Sequence, residues 1–176
     1  MGFTPLAGLM MGTRCGSVDP SLVGFACKEL HKTVNEVMSD FNNRSGLKGM
    51  VNEGDSYDMR NLLEREGEDP KAALAIDMFI YRLAQHIAAA MVALKGPLDA
   101  LVFTAGIGEH SAEIRKRTLE QLKPVLPNTE LDADRNRCAG EISGGILSKE
   151  GGWPMVLDVP TDEEVMIERE CLRLVA

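Results

Sequence analysis

The feature that most narrows the fold is a strand-to-helix junction at residues 99–122. DALVFT (99–104) is a short apolar run with turn-forming residues around it. It passes through AGIGEHS (105–111) straight into a helix-forming stretch from Ala112 to about Leu122. An apolar run of that length between turn signals reads as a buried strand. The pattern returns near the C-terminus. Met155 to Val159 is a second strand candidate, stopped by Pro160, and TDEE (161–164) has capping-box spacing for a final helix to about Leu174. Two strand–loop–helix units predict an α/β fold with parallel strands.

Upstream the signals are helical. Asp19-Pro20 pairs an N-cap acceptor with a proline at the first helical position, and the apolar residues after it support a helix to about Leu30. Thr33 and Glu36 form a capping box for a second short helix, fading at Asn42-Asn43. Residues 45–57 read as loop, and a short helix follows Asp58 as far as Gly67. The longest periodic segment runs from Pro70 to Lys95, with Ile76, Phe79, Leu83, Ile87, Met91 and Leu94 on one stripe. Its alanines (72, 73, 75, 84, 88, 89, 90, 93) would let another helix approach closely. Asp77, Arg82, Gln85 and His86 interrupt the run, so it is a docked helix and not a membrane span. Residues 128–152 are ambiguous, with Asp132–Cys138 a helix candidate and Ile142–Leu147 a strand candidate.

Composition removes several functions. The 176 residues carry 19 Lys+Arg against 27 Asp+Glu, a formal charge of -8, which disfavours binding to nucleic acid or to anionic lipid. Cys15, Cys27, Cys138 and Cys171 form no CxxC pair, so neither a zinc knuckle nor a dithiol motif is expected, and reduced thiols are. The N-terminus has no basic n-region, so it is not read as a signal peptide. A cytoplasmic location is expected.

Four places could carry chemistry. A glycine turn between strand and helix, AGIGEHS, can present backbone N–H groups to a phosphate or a sugar; the alternative is a turn that needs glycine only for positive φ. Glu163 projects from the carboxyl end of the second strand, where Mg²⁺ commonly finds one carboxylate, whereas Glu164 is explained by closing the box on Thr161. Arg14, between two glycines in MGTRCGS, suits a phosphoryl group, or is an ordinary surface arginine. Asp58-Met59-Arg60 stands at a helix entry, where a local ion pair is the simpler reading. His31, His86 and His110 have no metal-ligand spacing; the first two are read as surface or helix-face residues.

MGFTPLAGLMMGTRCGSVDP, SGLKG, DMR, LVFTAGIGEHS and PTDEE stand in the order and at the separations of the acetate kinase family, which the chain resembles from residue 1 to about 170. The resemblance implies a ribonuclease-H-like α/β domain of the actin-like, sugar-kinase and Hsp70 ATPase superfamily. It also implies a homodimer and Mg²⁺-dependent phosphoryl transfer between ATP and acetate, with Mn²⁺ an alternative ion. On that resemblance Arg14 stabilises the transition state. Asp58, Met59 and Arg60 contact the nucleoside, Gly106, Ile107, Gly108, Glu109 and His110 form the nucleotide loop, and Glu163 is the Mg²⁺ ligand. His110 stands where the family has asparagine, and Asp162 turns the family's TNEE into TDEE.

The match covers the C-terminal half of the family pattern. Residues 1–176 are thus expected to be part of the C-terminal nucleotide-binding domain, without the N-terminal domain. The family's Asn metal ligand, substrate arginine, pocket histidines, catalytic aspartate and HxGNGxS loop have no counterpart here, so the chain alone is expected to be inactive. Propionate kinase is one alternative. A non-catalytic nucleotide-binding or dimerising module is the other.

Overall fold

The computed structural model describes residues 2–175, and the chain divides into two compact units, Met1–Lys95 and Gly96–Ala176.

The first unit is helical. Helix α1 (Ser21–Glu29) starts where the Asp19 carboxylate accepts the Ser21 N–H at 2.8 Å. Helix α2 (Val34–Asn43) has the complete capping box: Thr33 accepts the Glu36 N–H, and the Glu36 carboxylate accepts the Thr33 N–H. Residues expected to be loop contain a further short helix, α3 (Gly46–Met50). Its glycines hid it from propensity, and tertiary hydrogen bonds rather than intrinsic preference hold it. Helix α4 (Met59–Arg65) is capped by Asp58 and helix α5 (Pro70–Ala93) by Asp69.

Ala72, Ala75, Ile76, Phe79, Ile80 and Ala84 of α5 are buried, together with Leu47 of α3 and Met59 and Leu62 of α4. The small residues thus give α3 and α4 a close seat on the first half of α5. The stripe does not stay buried along its length. Leu83, Ile87 and Met91 are half-buried, and Leu94 is exposed.

In the second unit strands β1 (Ala100–Phe103) and β2 (Met155–Asp158) pair in parallel, from Ala100 opposite Met155 to Phe103 opposite Asp158. Between them come α6 (Ala105–His110), α7 (Ala112–Leu122) and α8 (Ala133–Arg137), and after β2 comes α9 (Glu163–Val175). The core is Phe103, Ile114, Leu119, Leu122, Leu126, Leu147 and Val156. The Ile142–Leu147 strand reduces to a 3₁₀ turn at Glu141–Ser143 and single antiparallel bridges from Ile146 and Ser148. Left-handed glycines at 140, 144 and 145 interrupt the extension a ladder needs. Among the described residues no helix is long and apolar enough to cross a membrane.

Candidate functional site

Arg14 lies on a loop whose backbone is fixed to the end of α2 and the start of α3. Met11 N–H donates to the Arg14 carbonyl at 3.0 Å, and Cys15 N–H donates to the Phe41 carbonyl at 3.0 Å. From the other side, Ser45, Leu47 and Lys48 donate to the carbonyls of Thr13, Met11 and Gly12 at 2.8–2.9 Å. This close approach needs glycine twice. Gly46, at φ +60, would drive a Cβ into the Met11 and Arg14 carbonyl oxygens, and Gly16, at φ +74, would drive one into the Gly8 carbonyl.

The Arg14 side chain is half-buried, and among the described residues no carboxylate pairs with it. Its guanidinium lies against the Met11 sulfur, 3.9 Å from Nη1. A guanidinium on a fixed loop without an anionic partner is available to an anion. Next to it, burial pushes the Cys15 thiol above its ordinary pKa, so it stays protonated.

The other predicted residues of the first unit have local roles. Asp58 does not pair with Arg60; its carboxylate caps α4 by accepting the Arg60 N–H at 3.0 Å. Met59 is a core residue, 5% exposed. Arg60 is exposed at the helix surface. Arg65, not singled out in the sequence, organises this region. It donates to the Ser56 carbonyl at 2.9 Å and stands 3.6 Å from Asp55 and 3.4 Å from Asp69. His86 is a half-buried residue on the face of α5, in keeping with the helix-face reading, and its Nε2 is shielded without a hydrogen-bond partner among the described residues.

The glycine segment of the second unit differs in kind from the expected turn. Residues 105–110 are helical, and neither Gly106 nor Gly108 has positive φ; the left-handed residue is Ala105, at φ +59. Positive φ therefore does not explain the glycines. A Cβ on Gly106 would point into open space, and one on Gly108 would touch the Phe103 backbone at an ordinary 3.5 Å. The chain leaves the outer side of Gly106 bare, which suits close approach by a ligand. Gly106, Ile107 and His110 are exposed and Gly108 and Glu109 half-buried.

Glu109 turns back onto the chain. Its Oε1 accepts the Thr161 N–H at 2.9 Å and the Thr161 hydroxyl at 3.0 Å. These bonds, the Thr161 N–H first, hold its carboxyl below the usual glutamate range. Thr161 is thereby taken from the capping box assigned to it with Glu164. Asp162 caps α9 instead, accepting the Val165 N–H at 3.0 Å. Glu163 and Glu164 occupy the first turn, where the helix dipole favours carboxylates. Among the described residues no cluster of three acidic, His or Cys side chains gathers, and Glu163 has no cationic partner. One exposed carboxylate fits Mg²⁺, which commonly takes one or two protein carboxylates and fills its shell with water and substrate phosphate.

The sequence reading missed the ion pair beneath this segment. Arg115 and Asp158 are 1% and 2% exposed at their side chains and lie 3.2 Å apart. Burial pushes the Asp158 carboxyl above its ordinary value, and Arg115 opposes that shift. Both signals were legible. Arg115 falls on the buried phase of α7, three, four and seven residues before Thr118, Leu119 and Leu122, and Asp158 ends an otherwise apolar strand. Arg14 with Asp58–Arg60 belongs to the first unit; residues 106–110 with Glu163 belong to the second, linked through Glu109 and Thr161.

Comparison with known proteins fits this layout. The family model described as the acetokinase family matches residues 1–169. The acetate kinase of Stutzerimonas stutzeri (strain A1501) is 48% identical over 99% of this chain and 43% of its own length. That of Bacillus anthracis is 42% identical over 99% of this chain and 42% of its own. Among solved structures, a propionate kinase from Francisella tularensis superposes with a TM-score of 0.85 at 36% identity, covering 97% of this chain and 42% of that one. The chain therefore spans less than half the length of the curated relatives it matches. Over the residues it does have, the order of motifs and the fold agree, and the chain belongs to the acetokinase family.

Proposed function

We propose that this chain supplies the nucleotide, Mg²⁺ and transition-state contacts of an acetate kinase. The reaction is reversible phosphoryl transfer from ATP to acetate, giving acetyl phosphate and ADP. The single observation that carries this reading is the bare, helical 105–110 segment, tied through Glu109 to Thr161, two residues before Glu163. A nucleotide lying along Gly106 and Gly108 would bring its phosphates toward the connection that bears Glu163. Bound Mg²⁺ would neutralise phosphate charge there, with Glu163 as its protein carboxylate and Mn²⁺ able to replace it.

Arg14, without a carboxylate partner among the described residues, holds the equatorial oxygens of the transferring phosphoryl group, where a planar fork suits spread negative charge. Asp58, Met59 and Arg60 form the nucleoside side. Arg60 is the exposed contact, while Asp58 and Met59 act by fixing the start of α4. Ile107, Glu109 and His110 complete the nucleotide segment, Glu109 by anchoring it.

The chain corresponds to the C-terminal nucleotide-binding domain of the actin-like, ribonuclease-H-like ATPase superfamily, and the acyl pocket is contributed from elsewhere. Val102 on the parallel strand β1 is 47% exposed, although parallel strands are ordinarily covered on both faces, which supports a further domain over it. A cytoplasmic homodimer completes the proposal, supported by the exposed apolar residues Val92 and Leu94 at the end of α5.

The test is an acetyl phosphate assay with ATP, Mg²⁺ and acetate. It compares the 176-residue chain alone with a chimera in which residues 1–176 replace the matching part of the Bacillus anthracis enzyme. The chain alone gives no product and the folded chimera does. A folded chimera without turnover refutes the assignment.

A further inference from the structure

We infer that Arg115 is the positioning residue of the 105–110 segment, an inference that rests on the nucleotide reading above. Left to itself this segment would not hold a helix. It has six residues, none of them buried. Two are glycine, and Thr104 offers no side-chain cap. Ala105 sits in the left-handed region. Helices this short are not stable alone, and glycine weakens them further. Something outside the segment has to fix it, and two contacts do.

At its C-terminal end the Arg115 guanidinium donates from Nη1 to the Gly108 carbonyl at 2.6 Å and to the Glu109 carbonyl at 2.8 Å. These are carbonyls a helix this short leaves without intrahelical partners. The other edge of the guanidinium is fully committed. Nε donates to Asn136 Oδ1 at 2.8 Å, and Nη2 donates to the Asn136 carbonyl at 2.5 Å. Asp158 supplies the countercharge at the end of β2, so an otherwise costly buried cation is paired. The second contact is Glu109 with Thr161. Arg115 thus joins α7, α8, β2 and the glycine segment in one buried node. It sets the orientation in which Gly106 faces outward, without touching a ligand itself.

The planar fork is essential to this role, because the five bonds leave the guanidinium in several directions and an ammonium cannot reproduce them. Amide hydrogen exchange and MgADP titration on the 176-residue chain test the inference, using wild type, Arg115→Lys and Leu119→Ala. Leu119 lies on the same helix and is 5% exposed, so its truncation reports general loosening of α7. In Arg115→Lys, exchange within 105–111 should rise at least about tenfold, as loss of charge-assisted bonds to half-buried carbonyls implies, and MgADP should bind correspondingly more weakly. Leu119→Ala should do neither.

Equal exchange at 105–111 in the two variants overturns the inference. Faster exchange with unchanged MgADP affinity overturns the link to nucleotide. If Arg115→Lys does not fold, Asn136→Ala, which removes the Nε acceptor together with the Asn136 Nδ2 donation to the Ala112 carbonyl, decides by the same comparison, and unchanged exchange at 105–111 refutes the role. A wild-type chain that binds no MgADP refutes the nucleotide reading instead, while the exchange result still decides what Arg115 holds.

Discussion

Replacing Gly46 by alanine should dismantle the loop that presents Arg14. The position has φ +60, and the added Cβ would overlap the Met11 carbonyl oxygen and stand 2.7 Å from that of Arg14, both backbone atoms that cannot rotate away. Left-handed backbone costs a non-glycine residue about 1–2 kcal/mol. Relieving the overlap means opening two or three of the hydrogen bonds that Ser45, Leu47 and Lys48 make to Thr13, Met11 and Gly12, at about 1 kcal/mol each. The sum is about 3–5 kcal/mol, a large part of what a small unit has. Gly24 is the control. It is mid-helix in α1, exposed and without neighbours, so Gly24→Ala should stabilise by about 0.5–1 kcal/mol. Urea titration followed by circular dichroism gives the two midpoints, and amide exchange at 10–16 and 45–51 localises the effect. A Gly46→Ala midpoint at or above wild type would refute the packing argument and, with it, the claim that Arg14 is rigidly held.

Other outcomes follow from the second unit and from α5. Glu109 has its pKa depressed in the folded chain by Thr161, so its contribution is complete above the ordinary glutamate range and fades as pH falls through the lowered value. The stability gap between wild type and Glu109→Gln should therefore be full at pH 7 and close in acid; a gap that widens in acid contradicts the contact. Asp162→Ala should cost α9 about 1 kcal/mol of helix stability, seen as lost ellipticity, while Thr161→Ala should leave α9 intact and remove only the hydroxyl bond to Glu109, the backbone one remaining; the reverse pattern would restore Thr161 as the cap. In the chimera, Glu163→Gln should raise the Mg²⁺ concentration for half-maximal activity while Glu164→Gln does not, and equal metal dependence removes Glu163 from the site. Light scattering at micromolar concentration should find a dimer; a 19.2 kDa monomer means the exposed end of α5 is not a subunit interface.

The sequence conveyed the elements whose causes are local. The Thr33–Glu36 box, the helix entry at Asp58, the start of α5 at Pro70 and the extent of α7 follow from short-range chemistry, and the parallel pairing of β1 with β2 from the repeated strand–loop–helix order. What it concealed depends on distant partners. Helix α3 exists because residues 11–13 accept its amides across more than thirty positions of chain. AGIGEH is helical because Arg115 and Thr161 hold it, against its own composition. Thr161 looked like a cap because the spacing of TDEE is right for one, and only the folded chain brings Glu109 to compete for its hydroxyl. The motifs mark the residues to which the proposed chemistry is assigned. The bonds that orient those residues come from Arg65, Arg115 and Asp158, which no motif marks.

The central claim is that nucleotide binds along the glycine segment beside the Glu163 carboxylate, and backbone amide shifts on titrating MgADP into the labelled 176-residue chain test it most directly. The account predicts saturable shifts largest at residues 105–111 and 161–164, with Gly106→Val weakening the affinity because a branched side chain fills the bare face. Saturable shifts centred elsewhere in the chain, or affinity unchanged in Gly106→Val, would contradict it.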